Sequence, residues 1–154
     1  MTRTALALNH VAAGEKTSGP ATRRAFTAAA QTPRFKGRIV PKTFAKKAAK
    51  FLTHDGVALF DNPDALLICT FKRDNALCEP EPRVTAPRQY DCRPGCGNTV
   101  RTDTHARLLR ERADEIDKLA THTPEPIGKR LPTNAGQLRA TADAHNAAAH
   151  PAEP

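Results

Sequence analysis

Apolar residues recur at helical spacing along the last third of the chain, and the most regular predicted element lies there. From a cap at Thr102 or Asp103, Leu109, Ala113, Ile116 and Ala120 share one face, flanked by Leu108 and Leu119, while Arg110, Glu111, Asp114 and Asp117 point to water. After a break at Thr121 to Pro126 the same period returns in Ile127, Leu131, Ala135, Leu138 and Ala142, so a second helix can fold back on the first as an antiparallel hairpin. Pro132 removes a hydrogen bond inside that helix and predicts a break or kink. Upstream, Phe44, Ala48, Phe51 and Leu52 predict a short basic helix over about 42–53, with Pro41 in its first turn and Gly56 beyond its end.

Between these helical patterns the period changes. Val57 to Phe60 and Ala65 to Phe71 predict two short strands around the turn residues Asp61 to Asp64. A further turn at Lys72 to Asn75 brings Ala76, Leu77 and Cys78 back, so that Cys69 and Cys78 face one another. Residues 79–101, rich in proline, read as an irregular loop. The expected fold class is α+β: a small β-hairpin or meander with a Cys/His metal loop, then an antiparallel helical hairpin. Residues 1–33, rich in alanine and threonine without a sustained period, read as a flexible N-terminal arm with a helical turn near Ala21 to Ala30. Residues 34–146 are expected to form one zinc-stapled domain of basic helix, hairpin, metal loop and helical hairpin, and residues 147–154 a disordered tail.

Composition explains why this domain needs a staple. In 154 residues there are 13 Pro, 8 Gly and no Trp, and nearly half of the 39% hydrophobic content is alanine, so the core is small. The net charge of +8 is concentrated in residues 1–77, which carry 13 Lys/Arg against 5 Asp/Glu. Arg34, Lys36, Arg38, Lys42, Lys46, Lys47 and Lys50 follow one another without an intervening acid, a run that suits the phosphate backbone of DNA; the competing reading is a solvated basic face. No apolar run reaches the roughly 20 residues of a membrane span, and Ala5 to Ala13 is too short for a secretory leader, so a cytoplasmic location is expected. In a reducing compartment cysteines serve as metal ligands or thiols more often than as disulfides.

The chemistry-bearing pattern is Cys69-x8-Cys78-x13-Cys92-x3-Cys96-x8-His105. Thiolates and imidazole favour zinc, and four protein ligands with no open position make a structural site. Five candidates compete for four positions, with either Cys69 or His105 as the spare. Buried thiols with a surface histidine, a disulfide, an iron–sulfur cluster and a Cys92/Cys96 redox pair are the alternatives. Paired carboxylates, a Ser/His/Asp arrangement and a glycine-rich phosphate loop are not discernible, so neither an enzyme nor a small-molecule substrate is expected.

Three segments, Phe60-Asp61-Asn62-Pro63, Asn75-Ala76-Leu77-Cys78 and the run from Cys92 to His105, carry a resemblance that extends from about Pro33 to the end of the chain. The chain resembles the C-terminal region of large actinobacterial integrase-like proteins, relatives of the tyrosine site-specific recombinases. That resemblance implies a zinc-binding accessory region of a DNA-recombination protein from a mobile element, with DNA and other recombination proteins as partners. The chain departs from the recombinases in having no His-x-x-Arg motif, and its single tyrosine, Tyr90, lies two residues before Cys92. A remnant without the catalytic domain is the resulting expectation. The alternative is a protein-interaction module in which Leu108, Ile116, Leu119 and Leu131 meet a partner and DNA is not touched.

Overall fold

The computed structural model describes residues 2–35, 37, 42–52, 58–71, 92 and 95–152. In chain order these form α1 (Thr2–Ala12), β1 (Thr17–Ser18), α2 (Thr22–Gln31), α3 (Lys42–Leu52), β2 (Ala58–Asn62), β3 (Leu67–Phe71), β4 (Thr99–Thr102), α4 (Asp103–Ala120) and α5 (Ile127–Ala148). The fold is α+β, with one antiparallel sheet in the order β1-β4-β3-β2. No described helix is long and apolar enough to cross a membrane.

Residues 1–33 differ most from expectation: in place of a flexible arm, residues 2–32 fold into α1, β1 and α2. Leu8 and Val11 are fully buried and pack with Ala5, Ala29, Phe44, Ala48 and Leu59, so that one cluster joins α1, α2, α3 and β2. Thr4, Ala5, Leu8 and Val11 do recur at helical spacing, but Leu6 and Ala7 between them are apolar as well, which leaves little amphipathic contrast. A second cluster sets Ala21 and Ala25 of α2 against Ile68 and Val100 of the sheet. Gly19, at φ 117°, turns the chain between β1 and α2, and a Cβ there would lie 2.5 Å from the Thr99 carbonyl oxygen. Only glycine fits that approach.

β2 and β3 form the expected hairpin with shifted ends. The buried Asn62 side-chain oxygen accepts from the backbone N–H groups of Asp64 and Ala65, at 3.2 and 3.1 Å, which nucleates the turn. The sheet also gains β4, placed where an irregular loop was expected: Ile68 pairs with Val100 and Cys69 with Thr99. The predicted return of the chain around Cys78 lies outside the described residues.

α4 and α5 form the antiparallel hairpin, with Ala106 and Leu109 packed against Ala142 and Leu138 around Leu66. Exposed Arg110–Asp143 and Arg139–Asp114 pairs, at 2.9 and 2.8 Å, bridge the helices. Such surface pairs set alignment more than stability. The Asp114 and Asp117 carboxylates hold Arg139 above its ordinary pKa. α5 is a single helix with Pro132 inside it, so the expected break is absent, and the buried residues of the helix, Ala135, Ala142 and His145, all follow the proline. Residues 149–150 do not leave the body as a tail, since the Thr17 and His150 backbones exchange hydrogen bonds of 2.9 and 3.1 Å, and the His150 ring stands edge-on to Phe26.

Candidate functional site

Because strand residues alternate between faces while antiparallel partners share one, the register sorts the candidate residues onto two sides of the sheet. Cys69 pairs with Phe60 and Thr99, which places Phe60, Cys69, Thr99 and Arg101 on one face, with Ser18 opposite Arg101. Asp61, Ile68, Val100 and Thr102 occupy the other face, beneath the N-terminal helices.

On the first face Leu67, Cys69 and Phe71 form a buried cluster, and Cys92 packs against it. Cys96 is buried too. The segment around it is pinned from two directions. Asn98 accepts at its carbonyl from the Thr70 N–H and hydroxyl at 2.9 and 3.0 Å, and Arg24 donates to the Gly97 carbonyl and the Asn98 side chain at 3.2 and 3.1 Å. Cys78 lies outside the described residues. Among the described residues, no three His, Cys, Asp or Glu side chains are arranged to hold a metal ion. Arg101 adjoins Cys92: burial lowers the guanidinium pKa, and the Cys92 thiolate pulls it back up.

His105 is on the opposite side. Its backbone and ring form a reciprocal capping box with Thr102 at the start of α4. The Thr102 backbone N–H donates to Nδ1 at 3.0 Å, which puts the neutral ring's proton on Nε2, 3.4 Å from Asp61 Oδ1. Asp61 and Cys69 face opposite ways from neighbouring strands, so neither ring nitrogen is turned to Cys69.

Of the basic run, Lys42, Lys46, Lys47 and Lys50 are exposed on α3, while Phe44 and Ala48 on its other face are buried in the core. None of these lysines forms an ion pair with a described acid. Arg34 is exposed three residues after α2; Lys36 and Arg38 lie outside the described residues.

One arrangement escaped the sequence entirely. Ser18 Oγ lies 2.6 Å from His145 Nδ1, and His145 Nε2 lies 2.7 Å from Asp103 Oδ1. The three residues come from β1, the end of α5 and the start of α4. Ser18 and His145 line a cleft of about 750 Å³ between the sheet and α5, together with Arg101 and Cys92. With sequence separations of 127 and 42 residues, no local motif could have announced them.

Compared with known protein families, curated proteins and solved structures, the chain matches none of them.

Proposed function

We propose that the chain is a DNA-associated accessory module, of the kind the integrase resemblance implies. The exposed lysines of α3 contact phosphate, and Cys69, Cys78, Cys92 and Cys96 hold a structural zinc ion. The observation that carries the reading is the two-sidedness of α3: Phe44 and Ala48 fix the helix to the core, so Lys42, Lys46, Lys47 and Lys50 stand on a rigid support without acidic partners among the described residues. A rigid row of ammonium groups suits a backbone of regularly spaced phosphates.

The zinc part is supported by the shared cluster of Cys69 and Cys92 and the burial of Cys96. Zinc would supply folding energy, since ligands scattered in the unfolded chain gain it only by coming together. His105 is left out because its ring serves the α4 cap and Asp61. Binding to a DNA duplex should weaken steeply with salt, and Lys42→Gln, Lys46→Gln and Lys50→Gln together should flatten the log–log slope by about 0.9 for each phosphate that is no longer neutralised. Unchanged affinity and slope in the triple variant would refute it. Metal content by mass spectrometry of protein purified without added zinc should be near stoichiometric, and Cys92→Ser should abolish it.

A protein-interaction role is favoured by a separate feature: Leu119 and Ile127, at the tip of the helical hairpin, are 57% and 59% exposed. Absence of DNA binding even at low salt would select it.

A further inference from the structure

The Ser18–His145–Asp103 chain of hydrogen bonds belongs to neither reading, and its polarity can be deduced. Asp103 stands half exposed at the first turn of α4, and its side-chain oxygen accepts from His145 Nε2–H. The neutral ring then offers its Nδ1 lone pair to Ser18, whose hydroxyl donates. A serine hydroxyl aimed at an imidazole that a carboxylate orients from behind is an activated nucleophile. The ring nitrogens are exchanged relative to the common serine-hydrolase arrangement, but either nitrogen can take the proton. His145 is 2% exposed and gripped on both sides, so the base is preorganised.

The surroundings supply the rest of a site. Ser18 opens into the 750 Å³ cleft, whose wall includes the apolar Ala65, Leu67, Leu109 and Leu138. Directly across the strand pair stands Arg101, lining the same cleft and paired with no described carboxylate. A cation beside the nucleophile can balance an oxyanion that forms there.

We propose that Ser18 is the nucleophile of an esterase site that accepts carboxylic esters with a small apolar acyl group. Ser18 Oγ bonds to the carbonyl carbon as the C=O electron pair moves onto oxygen, facing Arg101, and the hydroxyl proton passes to His145 Nδ1. Collapse breaks the ester C–O bond, and the alcohol leaves with that proton. Water then attacks the acyl-serine, gives its proton to His145, and releases the carboxylic acid as Ser18 recovers its hydrogen. Asp103 is a positioning residue that keeps the ring in the productive tautomer.

An alkyl fluorophosphonate added to the full chain should lose fluoride and leave one phosphonyl adduct, located on Ser18 by peptide mass spectrometry; with p-nitrophenyl acetate the chain should release p-nitrophenolate. Ser18→Ala should abolish the adduct, and His145→Gln should slow its formation at least 100-fold, the usual scale for losing a general base. Since His145 is buried, the half-exposed Asp103→Asn serves as a second variant, expected to keep the wild-type melting temperature, label more than tenfold slower and lose kcat rather than gain KM. No adduct on Ser18 of the folded wild type, or labelling of Asp103→Asn at the wild-type rate, overturns the assignment.

Discussion

Replacing Leu8 by alanine tests whether the N-terminal segment is part of the core. Leu8 is fully buried among Ala5, Val11, Ala29, Phe44, Ala48 and Leu59. The substitution removes most of an isobutyl group. Leu→Ala changes in cores cost about 2–5 kcal/mol, depending on how far the neighbours can collapse into the void. Here three neighbours are alanines on helices, whose methyl groups cannot reach further, so the upper part of that range, about 3–5 kcal/mol, is expected. For a chain of this length each kcal/mol lowers the melting temperature by about 2–4 °C, giving a drop of roughly 6–20 °C. Thermal unfolding followed by circular dichroism, with urea denaturation for the free energy, measures both. Thr27→Ala, at an exposed position of α2, is the control and should stay within about 0.5 kcal/mol of wild type. If Leu8→Ala also stays within that margin, α1 is not holding the core, and a mobile arm is the better description.

Gly19→Ala combines a positive φ with a Cβ 2.5 Å from the Thr99 carbonyl oxygen, so it should destabilise by about 1–3 kcal/mol or more in urea titrations; a neutral result would mean that β1 does not dock where it is placed. His105→Ala strands the buried Thr102 N–H and should cost about 1–3 kcal/mol, while metal content stays at the wild-type level; loss of metal would return His105 to the ligand set.

What could be read in the sequence followed from contrast between neighbouring positions. α4 was legible because Leu109 and Ala113 alternate with Arg110, Glu111 and Asp114, and α3 because large Phe44 and Phe51 interleave with lysines. α2 carries the same period in alanine, whose burial only the assembled fold decides, and in α1 the apolar Leu6 and Ala7 beside Ala5, Leu8 and Val11 blur the contrast. β4 hid in four residues after Gly97 and Asn98, since so short a strand exists only where β1 and β3 pair with it. The spacing of cysteines was visible from the start, whereas the opposite faces of Cys69 and Asp61 depend on sheet register. Ser18, Asp103 and His145 meet only through tertiary packing.

The pairing of β1 with β4 has a kinetic meaning. At a synthesis rate of about 5–20 residues per second, roughly 4–17 s pass between the emergence of Thr17 and that of its partner Thr102, and more before His150 arrives. During that interval α1 can meet α2 and α3, but the edge strand has nowhere to dock. Pairings so distant along the chain must close a long loop before they are rewarded, which slows folding. Until β4 is made, Ala21 and Ala25 lack the Val100 they pack against, and nascent chains halted before residue 99 should engage chaperones that grip exposed apolar helices.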